Sequence, residues 1–126
     1  MRAAKKMKMM ENPIKEKSFN FALRIVKLYK HLSQTKRERI LSKQILRSGT
    51  SIGANISEAV RAQSTADFLA KMHIALKEAS ETEYWLQLLY HSEYMNESEF
   101  ESMSRDINEL ISLLVSICKT TKKNNS

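Results

Sequence analysis

A chain of 126 residues with 42% hydrophobic and 28% charged residues is one domain's worth of sequence, able to bury a core. Its single cysteine, Cys118, excludes an internal disulfide and a Cys-based zinc site, and no apolar run approaches the roughly 20 residues of a membrane span. Net charge is +7, but residues 1–47 hold 14 Lys and Arg against 3 Asp and Glu, whereas residues 48–126 hold 7 against 11.

The first 11 residues, MRAAKKMKMME, read as a basic flexible arm. They lack the continuous apolar stretch of a signal peptide, and a cytoplasmic setting is the default. Pro13 is the only proline, and two glycines serve the whole chain. Such a sequence, rich in Leu, Ile, Ala, Lys and Glu, argues for an all-α fold. Asn12-Pro13 is a good helix opening, with Asn as cap and Pro in the first turn. Ile14, Phe21, Ile25, Leu28 and Leu32 then keep helical spacing to about residue 32.

SQTKRE, residues 33–38, is the first break. A second helix is expected from about residues 36–38 to Arg61, with Leu41, Ile45, Ser48, Ile52, Asn55 and Ala59 on a heptad-like seam. Ala62-Gln63-Ser64 is the second break. Ser64 with Asp67 resembles a capping box and opens a third helix to about His91, with Leu69, Met72, Leu76, Ala79, Glu83, Leu86 and Tyr90 on its seam. Asn96 as cap, Glu99 three residues on, and a Met95–Phe100 staple open the fourth. Its seam is Phe100, Met103, Ile107, Leu110, Leu114 and Ile117. Ile111, Leu113, Val115 and Cys118 widen the apolar surface, which suggests that this helix also buries a face against another subunit. Breaks this short imply a single-domain, antiparallel up-down-up-down four-helix bundle over residues 12–120, with a polar tail at 121–126.

RSGTSIGANISEA, residues 47–59, holds both glycines. A phosphate-binding loop would need G-x-x-x-x-G-K-[ST], but these glycines are four apart and Ala54 follows Gly53. Two glycines inside a helix cost about 1 kcal/mol each against alanine, which close approach of a neighbouring backbone would offset. Asn55 on the seam reads as a structural polar residue that fixes register. Glu83 on its seam reads as a structural ion pair with Lys27, Lys43, Gln44 or Arg105 as candidate partners. A catalytic carboxylate would need a second acid or a histidine converging on it, and His31, His73 and His91 are scattered along the chain. No Glu-x-x-His spacing suggests a di-iron site. No catalytic residue, metal ligand, cofactor or small-molecule substrate is expected.

Arg24, Lys27, Lys30, Lys36, Arg37, Arg39, Lys43 and Arg47 form the basic set. Lys36, Arg39 and Lys43 stand at i, i+3 and i+7, and Arg47 continues the line. Such a stripe can neutralise phosphates without reading bases. The alternative is a solvated basic face that packs against acidic neighbours, and composition does not choose between the two.

Three stretches occur in order: NPIKEKSFNFALRIVKLYKHL, LSKQILRSGTSIGANISEA and AQSTADFLAKMHIALKEASETEYWL. Together they resemble the four-helix-bundle proteins encoded within 23S rRNA intervening sequences. The same broad family includes the accessory variability protein of diversity-generating retroelements. The resemblance spans about residues 12–120. It implies a homopentameric ring, a basic surface for nucleic acid, a reverse-transcriptase partner in the retroelement branch, and no catalytic site. The combined expectation is a non-enzymatic oligomer that binds nucleic acid, RNA ahead of DNA, through its first two helices. The alternative is a scaffold for a protein partner.

Overall fold

The computed structural model describes the backbone of residues 2–125 and the side chains of residues 13–124. All regular structure in it is helical. Helix α1 spans Arg2–Lys30 and continues directly into a π-helical segment, His31–Thr35; α2 spans Leu41–Val60, α3 Thr65–His91 and α4 Glu97–Asn125. Pro13 lies inside α1, so the opening expected at Asn12-Pro13 is not where the helix begins. The side chains of the basic arm expected over residues 1–11 lie outside the described residues. At the other end α4 runs to Asn125, through most of the expected polar tail.

Capping chemistry sets two of the helix starts. The Ser64 hydroxyl accepts the Asp67 N–H at 3.0 Å. Asn96 and Glu99 cap reciprocally: the Glu99 N–H donates to Asn96 Oδ1 at 2.8 Å, and the Asn96 N–H donates to Glu99 Oε1 at 3.4 Å. The start of α2 differs from expectation. Arg37 has a φ of 56°, in the left-handed region, and this turns the chain out of the helical path. The helix can begin only after that turn, at Leu41.

The core is formed from all four helices. Phe21, Ile25, Leu32, Ile45, Ile52, Ile56, Met72, Leu86, Leu89, Ile107 and Leu110 are all but inaccessible. Its seams correct the expected ones by about one residue in places. On α3 the buried line is Met72, Ala75, Ala79, Thr82, Leu86 and Leu89, stepping by three and four. Thr82 therefore takes the inner position assigned to Glu83. On α2 Ser42 and Ile56 are buried where Leu41 and Asn55 were expected. On α4 Met103, Ile107, Leu110 and Leu114 are buried as expected, but Cys118 rather than Ile117 closes the line. The reason is common to the first two. The buried lines of α2 and α3 include the small Ser42, Ser48, Gly49, Ala59, Ala75, Ala79 and Thr82, and a pattern read from bulky apolar residues gives these little weight.

Close approach depends on that smallness. A Cβ on Gly49 would stand 2.7 Å from Cγ1 of Ile25 and 2.9 Å from its Cδ1 and Cγ2, so α1 can seat Ile25 against α2 only at a glycine. At Gly53 the nearest atom, the Ser18 carbonyl oxygen, would be 3.4 Å away. Between α2 and α3 the Thr82 hydroxyl donates to Ser48 Oγ at 2.9 Å, both residues fully buried. Helices adjacent in sequence pack most extensively; α1 and α4 meet more sparsely, tied by Lys17–Glu109 and Arg24–Asp106.

Candidate nucleic-acid interface

The basic set divides once the helices are in place. Arg47 is paired with Glu78 at 3.2 Å and with Glu81, both on α3. Glu81 also accepts the Trp85 indole N–H at 3.0 Å, so its carboxylate is held from two sides. Arg24 bridges to Asp106 on α4 and donates to the Ser102 hydroxyl at 2.9 Å. These two arginines meet the acidic neighbours that the sequence left as an alternative. Lys27, Lys30, Lys36, Arg37, Arg39 and Lys43 are exposed, and among the described residues no side-chain hydrogen bond or ion pair engages them.

Three of the six, Lys36, Arg37 and Arg39, are carried by the connection between the helices, and Lys43 stands in the first turn of α2. Lys36 and Arg39 lie outside α2, so the helical stripe expected of Lys36, Arg39 and Lys43 is divided between the connection and the start of α2. That connection is built. The Lys36 N–H donates to the His31 carbonyl at 3.1 Å and the Glu38 N–H to the Leu32 carbonyl at 2.8 Å. Glu38 then caps α2: its carboxylate accepts the Ser42 N–H at 2.8 Å and the Ile40 N–H at 3.2 Å, while the Ser42 hydroxyl donates to the Glu38 carbonyl at 2.7 Å. Partial burial pushes the Glu38 carboxyl pKa up, but backbone donors from Ser42, Leu41 and Ile40 outweigh it and hold the group below its ordinary range. The one acid among these bases is thus bonded to the backbone and forms no ion pair with them. The sequence did contain the signal, since a glutamate shortly before a helix start can serve its first N–H groups.

A cleft of about 820 Å³ opens beside this turn, and it brings His31 and His91 to one place despite their separation in sequence. Lys36 lines it too, but so do Glu93, Glu97 and Glu99. Three carboxylates oppose phosphate there, so the surface open to a polyanion is the outer side of the turn.

The remaining predicted residues fall elsewhere. Gly49 is buried against Ile25, and Gly53 lines a shallow groove of about 620 Å³ between α1 and α2. Asn55 is half-buried and donates to the Ser51 carbonyl of its own helix at 2.8 Å. A bond within one helix does not fix register between two, so that part of its expected role is corrected. Glu83 is half-buried and joins none of Lys27, Lys43, Gln44 or Arg105, because the helix turns Thr82 inward in its place. Ile111 and Leu113 are half-buried against the protomer's own core, Val115 is half-buried, and Cys118, expected on an outer stripe, lies within the core. Burial pushes the Cys118 thiol pKa up, so it stays protonated at neutral pH. The open apolar surface is instead on α1, where Phe19 and Leu23 are 63% and 55% exposed beside the groove. Among the described residues no group of three or more His, Cys, Asp or Glu is placed to hold a metal, and no helix is long and apolar enough to cross a membrane.

Comparison with known proteins identifies a family and solved relatives. The family model of the 23S rRNA-intervening sequence protein matches residues 10–116. A crystal structure from Bacteroides thetaiotaomicron VPI-5482, described as a protein of unknown function from the S23 ribosomal protein family, is 57% identical. It aligns over 87% of this chain and 98% of its own, with a TM-score of 0.86. No curated protein matches the chain.

Proposed function

The chain belongs to the 23S rRNA-intervening sequence protein family, and from that premise we propose that it is a non-enzymatic, oligomeric, antiparallel four-helix bundle that binds structured RNA through the turn between α1 and α2. The observation that carries this reading is the group of exposed cations Lys36, Arg37, Arg39 and Lys43, none of them ion-paired with a described residue. Lys27 and Lys30 extend it along α1. Unpaired cations on a fixed turn attract a polyanion by releasing its counterions. The ribosomal terms in the family's and the relative's descriptions favour RNA over DNA as that polyanion. An up-down-up-down course is supported by the pairing of Lys17 with Glu109 and Arg24 with Asp106, in which one helix ascends as the other descends. A cytoplasmic setting suits the same reading.

Assembly is the second part of the proposal. A homopentameric ring would repeat the basic turn around an axis and multiply weak phosphate contacts. The surface it would bury is the groove flanked by Phe19 and Leu23, because the α4 residues first expected there already pack on or within their own protomer. The same groove is the observation that favours the alternative, an accessory role in which a protein such as a reverse transcriptase occupies it.

The test is binding of a structured RNA across a salt series. The wild type should bind at low salt, and Lys36/Arg39/Lys43→Glu should lose at least about 100-fold and flatten the salt slope by about 2–3. No binding at low salt, or indifference to the triple reversal, would sink the RNA reading. A solution mass of one protomer would sink the assembly. A partner retained after nuclease treatment and lost in Phe19→Asp/Leu23→Asp would favour the accessory role.

A further inference from the structure

Ile40 is the most exposed large hydrophobic side chain among the described residues, at 75%. A single exposed apolar residue is ordinary on a protein surface. This one has an unusual setting. Arg37 and Arg39 precede it, Lys36 stands four residues before it and Lys43 three after, and none of the four is paired. It is also held in place. Its N–H donates to Glu38 Oε2, the other oxygen of that carboxylate takes the Ser42 N–H, and the Glu38 N–H is tied to the carbonyl of the fully buried Leu32. The connection therefore presents an exposed apolar side chain on a hydrogen-bonded backbone, with exposed cations close to it along the chain.

That combination selects among polyanions. A continuous RNA duplex meets a protein with phosphates and hydroxyls, its bases stacked and its major groove too narrow to enter. An isoleucine gains little from it. An unpaired base in a loop or bulge offers an apolar face framed by phosphates, which matches an exposed apolar side chain with cations close to it. Resting on the RNA reading above, we propose that Ile40 is the contact that makes this interface prefer unpaired or bulged RNA to continuous duplex. The cations set the affinity and its salt dependence; Ile40 supplies the discrimination.

The experiment compares two RNA probes with equal numbers of phosphates, a hairpin with a single-stranded loop and a blunt duplex. It uses the full chain as wild type, Ile40→Ala and Ile40→Leu, with thermal unfolding and solution mass measured on each. The wild type should favour the hairpin by about tenfold, the scale of burying one aliphatic side chain. Ile40→Ala should lose that preference while keeping its duplex affinity, salt slope, melting temperature and mass, and Ile40→Leu should keep the preference. Equal affinity of the wild type for both probes, or equal loss on both in Ile40→Ala, would overturn the assignment of Ile40 and leave the RNA reading standing. A wild type that binds neither probe would overturn both. Two other outcomes would also overturn the assignment: a changed mass in Ile40→Ala, or an Ile40-dependent gain on phosphatidylserine-containing vesicles with hairpin binding unaltered.

Discussion

Arg47 and Lys43 are one helical turn apart in the same run of positive charge, yet the fold gives them different work. Arg47, like Arg24 on α1, faces a neighbouring helix that carries carboxylates at the same level, and it joins α2 to α3. Lys43 belongs with Lys36, Arg37 and Arg39, near one end of the bundle, where no ion pair with a described residue engages them, although Lys36 shares a cleft with Glu93, Glu97 and Glu99. The basic residues level with carboxylates on a neighbouring helix become part of the packing, whereas those on the connection and on the helix ends beside it stay available to a ligand. The comparison predicts a separation: mid-bundle substitutions change stability and leave RNA affinity alone, and turn substitutions do the reverse.

The largest effect on the stability side is expected at Gly49. A methyl group there would overlap three atoms of Ile25, so overpacking of about 1–3 kcal/mol should outweigh the roughly 1 kcal/mol that alanine gains in a helix. Urea unfolding of Gly49→Ala should show a lower midpoint with RNA affinity unchanged. Gly53→Ala, where the new carbon makes ordinary contact, should be neutral or stabilising by up to about 1 kcal/mol. Equal tolerance at the two positions would mean that Ile25 is free to move and that α1 and α2 are not held as closely as described.

Next in size is the buried hydroxyl pair. Thr82→Val keeps the shape but removes the hydroxyl that lies within hydrogen-bond distance of Ser48 Oγ and the Glu78 carbonyl. A loss of about 1–2 kcal/mol is expected, because the Ser48 hydroxyl is left buried without its partner. Adding Ser48→Ala should recover part of it, since removing both polar groups costs less than stranding one. A double variant no more stable than Thr82→Val would show that the pair contributes nothing as a pair.

Glu38 crosses the divide, because it caps α2 and also fixes the turn that carries the cations. Glu38→Gln should cost about 1 kcal/mol at neutral pH, on the scale of a lost helix cap, and should weaken RNA binding as well. The pH dependence has a definite sign. The folded carboxyl titrates below its ordinary range, so its contribution is present above the unfolded pKa and is lost as pH falls through the folded one. The stability gap between wild type and Glu38→Gln should therefore close on acidification. A gap that persists well below the carboxylate range would assign the effect to packing.

The sequence made the four helices, two of the three breaks and the Ser64 and Asn96 caps legible, because apolar spacing and capping residues act locally. The family could be identified from the run around Gly49 and Gly53. Asn55 and Glu83 were misplaced because the inner faces of α2 and α3 are lined by Ser48, Ala75, Ala79 and Thr82, whose small size carries little periodic signal. Cys118 was set on an outer stripe because a smooth α4 seam admits either residue 117 or 118 at its end. The partition of the basic set was out of reach for a different reason. Whether Arg47 is neutralised depends on which α3 carboxylates lie level with it, 31 and 34 residues away, and only the packed bundle fixes that.

The smallest expected effects test the comparison most directly. Arg47→Gln breaks an ion pair in which the arginine side chain is 51% exposed, so solvent screening limits its worth to about 0.2–1 kcal/mol. The difference from wild type should shrink further as salt is raised. Affinity for RNA should stay within about twofold, because Glu78 and Glu81 already hold that charge. Lys43→Gln has no partner to lose, so its melting temperature should match the wild type while its salt slope falls by about 0.7–0.9 for the one phosphate contact removed. An Arg47→Gln slope reduced by the same amount would mean that the ion pair opens for the ligand. The line between the two groups of cations would then be drawn by the ligand's arrival rather than by the fold.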